Sequence, residues 1–132
     1  MVVAGLVLAG IAAALHVFIF WLESVAWTTP RARATFGTTE QEAAATRELA
    51  FNQGFYNLFL VVVTAVGIVL VALGGAAGAT GAGVALVLAG TGSMLAAAVV
   101  LFLSSPGKRG AAVKQGTVPL LAVLALVVGL AL

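Results

Sequence analysis

The chain has 132 residues, 63% of them hydrophobic and 8% charged, against roughly 45–50% and about 25% in a soluble globular domain. Too few polar side chains exist to cover a water-facing surface, which excludes a soluble monomer. Six Lys/Arg and four Glu, with no Asp, leave a formal net charge of +2, too sparse for a nucleic-acid-binding surface, and the lack of cysteine excludes disulfides, thiolate metal sites and cysteine nucleophiles.

The positions of the charges divide the chain. Met1 to Leu22 carries no Lys, Arg or acidic residue, the stretch between Glu48 and Lys108 carries none, and neither does the stretch after Lys114. A membrane-crossing helix needs about 20 mostly apolar residues. The long middle stretch holds two, broken at the glycine-rich segment Gly74–Gly81, where clustered glycine favours a turn. The chain therefore predicts one all-α membrane domain over 1–132, an antiparallel bundle of four spans at about 2–27, 51–73, 82–104 and 115–132. Ser105-Pro106-Gly107 closes span three, and Pro119 falls in the first turn or so of span four, where a missing N–H costs little. A cleaved signal peptide is disfavoured for span one, because its start has no Lys or Arg and its apolar run exceeds twenty residues.

Between spans one and two lie Arg31, Arg33 and Arg47; between spans three and four lie Lys108, Arg109 and Lys114. By the positive-inside rule both loops, 28–50 and 105–114, face the cytoplasm and both termini face out. Within the first loop, Thr39 and Glu42 have the spacing of a capping box, and the Ala-rich segment after it predicts a helix that starts near Glu40 and runs unbroken into span two.

Small residues recur every fourth position at Gly5, Ala9 and Ala13 of span one and at Ala85, Ala89, Ser93 and Ala97 of span three. In lipid, close packing of such stripes drives helix association. Either stripe serves the bundle or a second copy of the chain; the sequence leaves both open.

Polar groups in hydrocarbon need a partner or a purpose. His16, Phe20, Glu23 and Trp27 follow one helical face of span one. Span two opens with Asn52, Gln53, Tyr56 and Asn57, and span four with Gln115. Antiparallel geometry brings Glu23 and the span-two amides to similar depth, so the expected site is a polar pocket open to the cytoplasm and floored by His16. Bland readings stand beside it: Glu23 paired with Arg31, Arg33 or Arg47 at the interface, His16 and the amides as interhelical glue, and Trp27 in an interfacial aromatic belt. Metal binding by His16 and Glu23 together is disfavoured, since seven helical residues span roughly 10 Å. No Ser or Thr is spaced to make a nucleophile with the single His, and the glycine run lacks the Lys-Ser/Thr ending of a phosphate-binding loop. No cofactor is expected.

The face from His16 through Glu23 to Trp27, the string Phe51-Asn52-Gln53-Gly54-Phe55-Tyr56-Asn57-Leu58-Phe59-Leu60, and Gln115-Gly116 with Pro119 together resemble a widespread bacterial family of small four-helix membrane proteins catalogued as a domain of unknown function. The resemblance covers essentially the whole chain and implies a four-span inner-membrane protein, with no activity attached. Gln53-Gly54 and Gln115-Gly116 each open a span after a charged loop, an echo of the kind two parallel hairpin repeats leave.

Three functional expectations follow. The first is a small transporter or channel, acting as a homo-oligomer, that uses Glu23 and His16 for proton or cation coupling; it is similar in size and span number to small multidrug exporters, though Glu23 sits at a different depth. The second is a membrane-embedded enzyme or a binder of a cationic or amphipathic solute. The third is a structural or accessory subunit. In all three the lipid bilayer is the surrounding partner.

Overall fold

Backbone N–H and C=O groups in lipid must be satisfied internally, and a helix does this within one segment. The computed structural model describes residues 1–74 and 79–132, and those residues are all-α. They form α1 (Val2–Phe20), continued by a π-helical turn (Trp21–Val25), then α2 (Pro30–Phe36), α3 (Glu40–Ala45), α4 (Arg47–Leu73), α5 (Ala79–Ser104), a 3-10 turn (Pro106–Lys108) and α6 (Arg109–Ala131). Four stretches, Val2–Val25, Arg47–Leu73, Thr80–Ser104 and Pro106–Ala131, are long and apolar enough to cross a membrane. The centre of the glycine-rich turn expected at 74–81, residues 75–78, lies outside the described residues.

The four long helices form a ring in which α1 packs on α4 and α6, and α5 packs on the same two. Ala9, Val87, Ala122 and Leu126 meet at its centre, fully buried. Three of the four helices thus contribute an alanine or a β-branched or aliphatic side chain there. The stripe Gly5, Ala9 and Ala13 faces inward; a Cβ on Gly5 would strike the Leu126 side chain. The other stripe, Ala85, Ala89, Ser93 and Ala97, is exposed on the outside of the bundle. The face that α5 turns inward carries Gly83, Val87, Gly90, Thr91, Met94 and Ala98. Gly67 and Gly83 let α4 and α5 touch backbone to backbone: a Cβ on Gly67 would lie 2.7 Å from the Gly83 carbonyl oxygen.

Four local features differ from the expectations. Span one loses α-helical winding after Phe20 and ends at Val25. The loop that follows holds a second helix, α2, capped by the Thr29 hydroxyl, which accepts from the Ala32 N–H at 3.3 Å. Pro30 stands at its start and Gly37 closes it at φ 66°, the left-handed conformation glycine adopts freely. The helix from Glu40 is not continuous with span two. It breaks at Thr46 (φ −104°, ψ 9°), whose hydroxyl donates to the Glu42 carbonyl at 2.7 Å and accepts from Trp27 Nε1 at 3.2 Å; such back-bonding competes with helix continuation.

Finally, α6 begins at Arg109 and not near Gln115, so Pro119 lies inside the helix and not in its first turn. The Pro106 turn sets the start. Arg109 and Lys114 do not delay the helix, because long basic side chains reach water from a helix end. Without an N–H on Pro119, the Gln115 carbonyl loses its partner four residues on.

Candidate functional site

The site is built where the π-helical turn of span one meets the first turns of α4. The turn is closed by the Ala26 N–H donating to the Trp21 carbonyl at 2.9 Å, one residue wider than an α-turn, which rotates the side chains it carries. Glu23 stands in this turn, and its Oε2 accepts from Asn57 Nδ2 at 2.8 Å. That amide also donates to the Gln53 carbonyl at 3.2 Å, so Asn57 is held by its own helix while it reaches across to another. The close approach needs Gly54: a Cβ there would overlap the Ser24 hydroxyl and come within 3.1 Å of the Phe20 carbonyl oxygen. Ser24 ties the same crossing by donating to the Phe51 carbonyl at 2.9 Å. On the next face Phe20 meets Phe55 edge to face, 5.2 Å between ring centres. The Asn-Gln-Gly-Phe-Tyr-Asn string thus contains the residues that allow and fasten one helix crossing.

A cleft of about 490 Å³ opens from Glu23 toward the loops. Gln53, Ala50 and Leu49 of α4 form one wall and Trp27 another, while Gly37, Thr38, Glu42 and Thr46 of the first loop, with Lys108 of the second, line its mouth. The Trp27–Thr46 hydrogen bond and the tilted contact of Trp27 with Phe36, 5.1 Å between ring centres, fold the first loop over the cleft. Glu42 closes the capping box: the Thr39 N–H and hydroxyl donate to its Oε2 at 2.9 and 3.0 Å. The backbone bond chiefly, then the Thr39 hydroxyl and the charge of Lys108, hold the Glu42 carboxyl below the usual glutamate range. At the same mouth the Thr38 hydroxyl is buried with no hydrogen-bond partner among the described residues. A carboxyl group at the base, amide and hydroxyl groups along the side and an indole wall suit a small cation or a protonatable group.

The seven residues singled out by sequence divide among several places. Glu23, Gln53 and Asn57 come together. Asn52 and Tyr56 lie on the exposed face of α4, Tyr56 at 62% exposure. Gln115 lines a different cleft, on the far side of α1 beside Arg31 and Lys114. His16 is 2% exposed, inside the bundle. Its Nδ1 lies 2.9 Å from the Ala12 carbonyl, an acceptor, so Nδ1 is the donor of that bond. Among the described residues no arginine pairs with Glu23; Arg33 instead meets Glu40 at 3.3 Å.

Trp27, Thr38, Glu42, Thr46 and Lys108 join the cleft without having been singled out for it. Trp27 is hydrogen-bonded into the cleft wall and so is more than an interfacial belt residue. The capping-box spacing located Glu42 in sequence, but nothing local shows that two loops sixty residues apart close on one cleft. Among the described residues no three His, Asp or Glu side chains group as a metal ion would require.

Comparison with curated proteins finds no match, and neither does comparison with solved structures. A family model does match, over residues 10–127, a range that takes in the π-helical turn, both basic loops, α4 and α5 and most of α1 and α6. The chain therefore belongs to the family described as protein of unknown function DUF1304.

Proposed function

We propose that this protein is a small transporter of the inner membrane whose cleft, open toward the basic loops, takes up a small cation or exchanges protons at Glu23. The observation that carries the reading is the Glu23–Asn57 hydrogen bond at the base of an open cleft. A carboxyl group in a membrane helix is costly and marks an ion or proton pathway when it lines a cavity. His16, two turns deeper on the same helix and buried in the bundle, supports a second station. The positive-inside rule assigns the cleft to the cytoplasmic face. A second copy of the chain, set against the outward stripe Ala85, Ala89, Ser93 and Ala97, belongs to the same proposal.

Reconstituted vesicles loaded with a pH-sensitive dye test it. An imposed gradient of an aromatic cation such as ethidium is expected to drive pH-dependent proton exchange. Glu23→Gln is expected to abolish that exchange while circular dichroism and elution volume stay unchanged. Unaltered exchange in Glu23→Gln removes Glu23 from the mechanism.

One observation favours a second reading, a one-sided binder of an amphipathic cation: among the described residues none deeper than Glu23 and Gln53 lines the cleft. On that reading a molecule co-purifies with the protein, is lost on Asn57→Leu, and no flux accompanies it.

A further inference from the structure

The cleft that Gln115 lines is unlike the one at Glu23. Its volume is about 480 Å³, and it lies between α1, α2 and the start of α6. Its polar wall is made by Arg31, Thr35, Lys114 and Gln115, and none of its lining residues is acidic. The floor is apolar, with Leu15, Ile19 and Leu22 of span one. Two cations from separate elements therefore face one space, with no carboxylate lining it among the described residues.

Their placement is organised. The Arg31 guanidinium lies over the rings of Phe18 and Trp21, 5.2 and 5.9 Å from their centres. Cation–π contact with two rings holds the guanidinium near the rim, and its planar fork suits the two oxygens of a phosphate. Lys114 adds a point charge from the opposite wall and Gln115 an amide donor. Leu15 is seven residues farther into span one than Leu22, so the floor runs roughly 10 Å from the loop end into the apolar layer. A basic rim above an apolar gutter complements a molecule that is anionic at one end and aliphatic at the other. Basic pockets between membrane helices on the positive face hold lipid headgroups in this way.

We infer that this second cleft is a binding site for an anionic phospholipid: Arg31, Lys114 and Gln115 take the headgroup phosphate, and an acyl chain lies along Leu15, Ile19 and Leu22. The inference is independent of the role proposed for Glu23.

Native mass spectrometry of the full chain, released from detergent with equal amounts of phosphatidylglycerol and phosphatidylcholine, tests it. One phosphatidylglycerol is expected to stay bound in preference to phosphatidylcholine. Arg31→Gln with Lys114→Gln is expected to lower that preference by roughly ten-fold or more, as removal of two headgroup cations should. Arg47→Gln with Arg109→Gln removes the same charge outside both clefts and is expected to preserve the preference. Thr35→Trp, a change at an exposed position of the rim, blocks the cleft with both cations intact and is expected to lower lipid retention as well, so a folding defect in the first variant does not decide the matter.

Equal retention of the two lipids by the unaltered protein overturns the inference, as does equal loss in the two charge variants. Displacement of the lipid by millimolar inorganic phosphate overturns it too, since the site would then read the anion alone. So does a change of oligomeric mass, in place of lipid count, on substituting Arg31 and Lys114.

Discussion

Asn57 is the residue on which the geometry at Glu23 turns, because its amide bridges the Gln53 carbonyl of its own helix and the Glu23 carboxyl of another. Asn57→Leu keeps the volume and removes both bonds. Interhelical hydrogen bonds in membranes contribute about 0.6–2 kcal/mol each. The variant is expected to lose stability in that range in a reversible detergent-unfolding titration, whereas Asn52→Leu, on the exposed face of the same turn, is expected to be neutral. At the mouth of the cleft, Glu42 makes the first loop sensitive to acid. Its folded pKa is depressed, so the capping box stabilises the start of α3 above the ordinary glutamate value of about 4.3 and loses that contribution as pH falls through the lower, folded value. The hydrogen-exchange protection of the Thr39 and Glu42 amides, measured against their intrinsic rates at each pH, is expected to fall on acidification through that window, an acceleration relative to the slowing intrinsic exchange. In Glu42→Gln, which keeps an acceptor but cannot titrate, the extra acceleration is expected to vanish.

Among the elements, the crossing of span one and α4 is set by Gly54 and that of α4 and α5 by Gly67 and Gly83. A methyl group at Gly54 meets the Ser24 side chain and the Phe20 and Ser24 backbone, and overpacking of this kind costs about 1–3 kcal/mol. Gly54→Ala is expected to lower the melting temperature and to weaken the Glu23–Asn57 bond. Gly10→Ala, where nothing lies within 4 Å, is expected to be neutral or mildly stabilising by the same melting assay, since alanine suits a helix interior better. The long spans were legible in sequence because charge is excluded from twenty-residue stretches, and the capping box because its spacing is local. The π-helical turn was not legible: a strict helical projection put His16, Phe20, Glu23 and Trp27 on one face, and the extra residue in the turn is fixed by the tertiary contact at Gly54. The break at Thr46 was equally hidden, for it needs the indole of Trp27. By contrast α2 did carry local signals, in Thr29-Pro30 and Gly37, that periodicity alone passes over in so short a helix.

At the scale of the molecule, both basic loops stand at one end of the bundle, since residues of each line the cleft at Glu23. That end holds two clefts of opposite character, one with a carboxyl base and one with a basic rim. Bundle topology separates them: α1 lies between α4 and α6, so a polar residue of α4 joins the first cleft and one of α6 the second. Sequence grouped Gln115 with the Glu23 site because span counting says nothing of azimuth, which follows from helix order. The central claim is that the Glu23 cleft admits a hydrated cation from the end that carries the basic loops. The chain has no cysteine, so Gln53→Cys gives a single reporter within the cleft. In sealed membrane vesicles of known orientation, a membrane-impermeant cationic thiosulfonate is expected to modify that cysteine from the loop side only, several-fold faster than an anionic reagent of similar size, and Glu23→Gln is expected to erase the difference. Modification from the opposite side, or equal rates for the two reagents with Glu23 in place, would contradict it.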